Sequence, residues 1–427
     1  MPDLYQSLRV WNPWWVKGWV LPKFVQRSEL RVVIQAQASP HVKDIIGPRR
    51  VGKTTLIYQI IADLLARNIP PEKIVFLNFD DINFNTIPLE DLTQTIIRNC
   101  PHAEYLFLDE IQEKIGWERW VRGLYDTKQF RQIFVTGSSA SLLSEDIGQV
   151  LTGRHLTFTL LPFSFREYLQ FHQWQDFDPN YLTREMARLL HFFDQYLEQG
   201  GFPEIVGQDD AIAHSIAIAL FGDILARDIA SRHSVEGPKL KTLAHYVMTN
   251  FAREFSFRRI GKDLGVHVET LERYVGYLIE AFLIFPVSLY DYKLRVQFQQ
   301  NKKMYVIDTG LRNHVAFKTA RNLGLLAENA VFLELKRRGI DIFYWKDGTH
   351  EVDFIARRST GELEMIQVCW DPSDVKVRER EVQGLRTAGK ILGISSGIVL
   401  TQNYASEEIM EGISIHFVPL VLWMLNL

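Results

Sequence analysis

The stretch Gly47 to Thr54 constrains this chain more than any other: it reads Gly-Pro-Arg-Arg-Val-Gly-Lys-Thr, a full match to G-x-x-x-x-G-K-[ST]. A short apolar run, Val42 to Ile46, precedes it. Thr55 to Arg67 follows, with Leu56, Ile60, Ile61, Leu64 and Leu65 at helical spacing. The expected order is strand, loop, helix. Such a turn wraps a polyphosphate in backbone N–H groups at the start of a helix, where unpaired donors and the helix dipole both favour negative charge. Gly47 and Gly52 let the chain approach closely, Pro48, Arg49, Arg50 and Val51 complete the loop, and Thr55 continues it into the helix. Lys53 is placed to reach the β- and γ-phosphates of ATP and the Thr54 hydroxyl to ligate Mg2+.

Strand and helix alternate from 41 to about 160. Lys73 to Phe79 reads as a buried strand and Leu89 to Arg98 as a helix. Tyr105-Leu106-Phe107-Leu108 then runs into Asp109-Glu110. A strand that delivers an acid at its C-terminal tip puts it in the crevice where α/β sheets bind ligands. Asp109 is expected to hold Mg2+ through its water shell, and Glu110 to orient and deprotonate the attacking water. Glu118 to Lys128 reads as a helix, and Gln132 to Val135 as a strand closed by Thr136-Gly137-Ser138-Ser139. If that strand lies between the loop strand and the acid strand, Ser138 is the candidate for a contact that senses the γ-phosphate. A plain strand-to-helix turn capped by Ser139 is the alternative. Arg154 leads into a last strand, Leu156 to Leu160. It is the candidate for charge neutralisation in the transition state, in cis or across a subunit boundary, against a surface arginine at a turn.

The chain's 427 residues, 47% hydrophobic and 23% charged, suffice for several domains. A net charge of −3 argues against a globally basic nucleic-acid coat protein. Two cysteines, Cys100 and Cys369, give neither a disulfide framework nor a cysteine zinc cluster. The start has no basic and apolar leader pattern, no apolar run approaches the ~20 residues that span a bilayer, and a cytoplasmic location without membrane partners is expected. Residues 1–40 form an aromatic arm, with Trp11, Trp14, Trp15 and Trp19 around a helix-breaking Asn12-Pro13. Base stacking, docking on a neighbouring subunit and packing on its own domain all fit it.

An extra strand between the loop strand and the acid strand defines the additional-strand class of phosphate-loop ATPases. Gly47 to Thr54, Leu108-Asp109-Glu110-Ile111-Gln112, Thr136 to Ser139, Gly153-Arg154 and Leu161-Pro162-Phe163-Ser164-Phe165-Arg166-Glu167-Tyr168 together resemble a widespread archaeal and bacterial family. Gly200-Gly201-Phe202-Pro203-Glu204, Tyr305 to Leu311 and Glu351-Val352-Asp353-Phe354 extend the resemblance over almost the whole chain. It implies an α/β protein: a P-loop AAA-type ATPase core over 41–160 with a helical lid at 161–238, then a winged helix at 239–300 and an α/β restriction-endonuclease-like domain at 301–427. ATP, Mg2+, DNA and further copies of the chain are the expected partners; nucleotide state is expected to move the lid and the C-terminal domains, with a nucleotide-gated protein-interaction switch of little turnover and an ATP-dependent nuclease as the alternatives. In the lid, Arg227 matches a recurrent family segment; it either reads the nucleotide or makes an ion pair.

Leu243 to Phe251, Phe257 to Leu264 and Val268 to Glu280 read as three helices with Gly265 at a turn, ahead of strand-like text: a helix-turn-helix with a wing. The third carries Glu269, Glu272 and Glu280 against Arg273 alone, a poor surface for base readout. Arg258, Arg259, Lys262, Lys293, Arg295, Lys302 and Lys303 beside it suit phosphate contact, and a protein-docking role also fits. Active restriction-endonuclease-like domains place a strand carboxylate and an acid or glutamine two residues before a lysine around Mg2+. Here the resemblance matches Asp353, Gln367 and the helix acid Glu328, but Cys369 stands at the lysine position. The centre is therefore expected to be degenerate unless Lys376 replaces the missing lysine.

Overall fold

The structure, a computed structural model, describes residues 4–138, 151, 153–316 and 322–426. It divides into two compact units, Met1–Leu160 and Leu161–Leu427. Among the described residues no helix is long and apolar enough to cross a membrane.

In the first unit, strands β1 (Val42–Ile46), β2 (Ile74–Asn78), β3 (Tyr105–Asp109), β4 (Gln132–Gly137) and β5 (His155–Thr159) form a parallel sheet in the order β2-β3-β4-β1-β5. Every residue of β1 to β4 is buried, as in a parallel sheet covered on both faces. At the edge, β5 is only half-buried. The strand expected between the phosphate-loop strand and the acid strand is β4, and the register pairs Ile46 with Gly137 and Leu108 with Val135. Three strand tips thereby end side by side, where a parallel α/β sheet presents its ligand crevice. The helix Lys53–Ala66 buries Leu56, Ile57, Ile60, Ile61 and Leu64 against β1, β2 and β4 residues such as Ile45, Phe76 and Phe134.

The aromatic arm packs on this same unit. β2 ends the sheet and would otherwise offer unpaired backbone groups. Asn12 acts as one residue of an added strand: its amide donates to the Phe76 carbonyl at 2.9 Å and accepts from the Phe76 N–H at 2.7 Å. Trp14 and Trp15 both donate their indole N–H to the Ile74 carbonyl, at 3.2 and 3.0 Å, and Trp11 donates to Asp81 at 2.7 Å. Asn12 is fully buried, so Asn12→Ala leaves two buried backbone groups without partners. A loss of about 2–4 kcal/mol in denaturant unfolding is expected; a change under ~0.5 kcal/mol would show that the arm does not cap the edge.

In the second unit, the helices Phe165–Phe171, Met186–Gln199 and Asp210–Asp223 open the chain, and the last continues as a wider π-type turn over Ile224–Ser231. Two of them pack on the helix Thr309–Val315, so the segment expected to be a separate lid shares a core with the C-terminal half. The Gly201 N–H donates to Asp308 at 2.6 Å, which joins the Gly-Gly-Phe-Pro and Asp-Thr-Gly stretches. The helices Gly237–Thr249, Phe257–Leu264 and Val268–Glu280 follow, the second ending on Gly265 at φ 63°.

Strands β6 (Arg253–Phe255), β7 (Ile284–Leu289), β8 (Lys302–Val306), β9 (Asp341–Asp347), β10 (His350–Arg357), β11 (Leu363–Val368), β12 (Ser396–Thr401), β13 (Ser406–Met410) and β14 (Ile413–Pro419) make one mixed sheet in the order β13-β14-β12-β11-β10-β9-β7-β8-β6. The expected boundary between residues 300 and 301 falls inside this sheet. β8 pairs back onto β6 and β7, and β7 pairs with β9 through Ser288 and Leu289, so the wing strands and the C-terminal strands are continuous.

Candidate functional site

Two glycines fix the shape of the phosphate loop. A side chain on Gly47 would bring its Cβ to 2.2 Å from the Leu160 carbonyl oxygen, and Gly52 holds φ at 100°, ahead of the helix that begins at Lys53. Arg27, buried at the end of the arm, donates to the Val51 carbonyl at 2.9 Å, and its N–H donates to Gln59 on that helix at 3.3 Å. Sequence reasoning missed this brace; an arginine between two apolar stretches carries no signal of it.

The Lys53 ammonium donates to the carbonyls of Gly47 and Pro48 at 3.3 and 3.2 Å and lies 3.3 Å from Glu110 Oε1. Thr54 donates to Asp109 Oδ2 at 2.7 Å, and Thr136 donates to Asp109 Oδ1 at 2.5 Å. Glu110 sits in the left-handed region at φ 49°, rare for a residue with a side chain and costing on the order of 1–2 kcal/mol. Its N–H donates to Thr136 Oγ1 at 3.1 Å. Gln112 donates its amide to Glu110 Oε2 at 2.5 Å and to Ser138 Oγ at 3.4 Å, while its own carbonyl oxygen is buried without a partner.

The loop lysine, the loop threonine, Asp109 at the tip of β3, Glu110 just after it and the tip of β4 thus form one hydrogen-bonded set. Ser138 is buried and reaches the acids through Gln112; Ser139 lies outside the described residues. Sequence reasoning missed Thr136 and Gln112. Thr136 stands two residues before Ser138, but its meeting with Asp109 depends on the register between β3 and β4.

Burial, then repulsion from Glu110, pushes the Asp109 carboxyl up to about 6, despite hydrogen bonds from Thr136 and Thr54. Burial also pushes Glu110 up, but Lys53, Gln112 and Arg49 together outweigh it and hold this carboxyl below its usual range. Asp109 is therefore a fully buried carboxylate short of positive charge, with a hydroxyl beside it. That oxygen donor set fits Mg2+.

The other candidates scatter. Arg154 pairs with Asp126 at 3.0 Å at the start of β5, a third exposed. Arg227 is exposed on the π-type turn of the second unit. In that unit Asp353, Glu328 and Gln367 do come together, and the Asp353 N–H donates to Gln367 Oε1 at 2.9 Å. Cys369 is buried in an apolar cluster with Val352, Val382 and Leu385, and burial, then Glu381 and Asp371, hold its thiol up at about 11, so it adds no charge. Lys376 is exposed in the first turn of the helix Val375–Leu392. The lysine at the carboxylates is Lys303 of β8, which the sequence reading had assigned to phosphate contact. It is buried among Glu328, Glu351 and Asp353, because β8 continues into the same sheet as β10.

Compared with known proteins, residues 39–169 match the family described as AAA domain, residues 190–322 a domain of unknown function (DUF8612) and residues 323–423 a second such domain (DUF4143). The uncharacterized protein MJ1544 of Methanocaldococcus jannaschii is 33% identical over 396 residues, which cover 89% of this chain and 86% of the relative. An uncharacterized protein of Haemophilus influenzae is 29% identical over 415 residues, covering 94% and 98%. Among solved structures, the S. cerevisiae Hsp104-ADP complex aligns at 14% identity with a TM-score of 0.33, over 61% of this chain and 39% of that one, a likeness too distant to carry an argument.

Proposed function

The chain belongs to the family represented by the M. jannaschii protein MJ1544, and we propose that this member is a Mg2+-dependent ATPase whose nucleotide state moves the second unit. The observation that carries the reading is the single network joining Lys53 and Thr54 of the loop to Asp109 and Glu110 at the end of β3. Backbone N–H groups of Gly47 to Thr55 wrap the triphosphate, and Lys53 exchanges the loop carbonyls and Glu110 for the β- and γ-phosphates. Thr54 and Asp109 hold Mg2+, which neutralises charge on the phosphate oxygens.

Glu110, released from Lys53, takes a proton from water as the water oxygen bonds to the γ-phosphorus and the bond to the bridging oxygen breaks, leaving ADP and phosphate. The partnerless Gln112 carbonyl oxygen beside Glu110 is a second acceptor for that water. Arg154 serves as the transition-state cation, supplied to a neighbouring copy after leaving Asp126. Mixing Arg154→Ala with Glu110→Gln protein is then expected to restore part of the activity that each lacks; no rescue from a confirmed oligomer would place its action in cis.

Because Mg2+ needs ionised Asp109, whose carboxyl sits at about 6, the Mg2+ concentration for half-maximal turnover is expected to rise as pH falls below 6, up to about tenfold per pH unit. A requirement flat from pH 5 to 8 would remove Asp109 from the metal.

In the second unit, the helix-turn-helix with strands β7 and β8 is read as a winged helix that contacts DNA backbone. The exposed Arg258, Arg259, Lys262, Lys293 and Arg295 support this reading. Alanine at Lys293 and Arg295 is expected to weaken DNA binding equally across sequences and to reduce its salt dependence. An unchanged salt slope would point to protein docking instead.

A further inference from the structure

The ammonium nitrogen of Lys303 lies 2.5 Å from Glu351 Oε1, 3.2 Å from Glu328 Oε1 and 3.3 Å from Asp353 Oδ1. Lys303 is 4% exposed. The carboxylates are themselves fixed. Tyr305 donates to Glu328 Oε1 at 2.7 Å, and the Val368 N–H donates to Asp353 Oδ2 at 3.0 Å. Gln367 holds the Asp353 N–H and passes its amide to Glu381 at 2.5 Å. Asp353 lies where β10 slips register between Val352 and Ile355, an irregularity that re-aims a side chain.

Oxygens from the helix Leu323–Arg337 and from β10 thus converge on one nitrogen as they would on a divalent cation. Yet among the described residues no group of three or more His, Cys, Asp and Glu side chains, this one included, is arranged to hold a metal ion. We propose that Lys303 is a built-in counter-cation that occupies the centre of the Glu328, Glu351 and Asp353 set and closes it to divalent metal, so that the site ties β8 to β10 and does not hydrolyse phosphodiesters. Three acids against one ammonium leave excess negative charge; burial, then repulsion from Asp353, raises Glu328 to about 8, so a proton takes up part of that excess. The inference is independent of the ATPase reading.

Mn2+ titration of the full chain without nucleotide, followed by electron paramagnetic resonance, tests it. Wild type and Asp353→Asn are expected to bind the same number of Mn2+ ions. Lys303→Met is expected to gain one per chain, lost again in Lys303→Met/Asp353→Asn. Removing one partner of a buried charge set destabilises strongly; if Lys303→Met is unfolded in chelator, Mn2+ is expected to restore its circular dichroism spectrum. A wild-type Mn2+ site that Asp353→Asn abolishes would overturn the proposal, as would a folded Lys303→Met without the extra ion, or one that Mn2+ fails to refold. Plasmid nicking by wild type in Mn2+ that disappears in both Asp353→Asn and Lys303→Met would identify Lys303 as the lysine of a working nuclease and also overturn it.

Discussion

Glu110→Gln is expected to lower ATP turnover by about 10²–10⁴-fold while ATP binding stays within a few-fold of wild type or tightens. Glutamine keeps the shape and the contact with Gln112 but cannot accept the water proton. It also releases Lys53 from a partner 3.3 Å away, which leaves the ammonium freer to meet phosphate. Lys53→Ala is expected to weaken ATP binding itself by ~10-fold to 10²-fold through loss of charge-assisted hydrogen bonds, and to lose turnover with it. The two variants separate binding from chemistry, read by fluorescent-nucleotide titration and by phosphate release. Parental turnover in Glu110→Gln would remove Glu110 from the role of base.

Asp109→Asn is expected to abolish Mg2+-dependent turnover and, in chelator, to stabilise the protein by ~1–3 kcal/mol at pH 8. The sign follows from the direction of the shift. The Asp109 carboxyl titrates at about 6 in the folded chain, raised chiefly by burial, whereas an unfolded aspartate titrates near 4. The folded state therefore binds more protons between pH 4 and 6, and wild type loses stability as pH rises through that window. Asparagine has no charge to bury, so the gap between the proteins opens across the same window and is complete above pH 6. Denaturant melts at pH 4 and pH 8 measure it. A variant less stable than wild type at pH 8 would mean that the hydrogen bonds from Thr54 and Thr136 outweigh the buried charge.

The sequence made the phosphate loop, the acid strand and the intervening strand legible because each is local: a motif, an apolar run, a polar residue at a tip. The contacts that complete the site depend on pairing between distant strands. Thr136 meets Asp109 because Leu108 pairs with Val135, and no spacing within either strand shows that register. Asn12 was passed over as a helix breaker, since nothing local marks an amide that stands in for a strand. Lys303 was misread for the same physical reason. On its own strand it is one of several wing cations, and only the path of β8 into a sheet shared with β10 turns it inward among carboxylates. The expected lid does not stand apart because two of its helices, Met186–Gln199 and Asp210–Asp223, pack on the helix Thr309–Val315, far later in the chain.

The most direct measurement is steady-state phosphate release from ATP by the purified full chain, in Mg2+ and in chelator. Release in Mg2+ that vanishes in chelator is expected; no release above the Lys53→Ala background, or release at the same rate without divalent metal, would contradict the assignment of this site as a Mg2+-dependent ATPase.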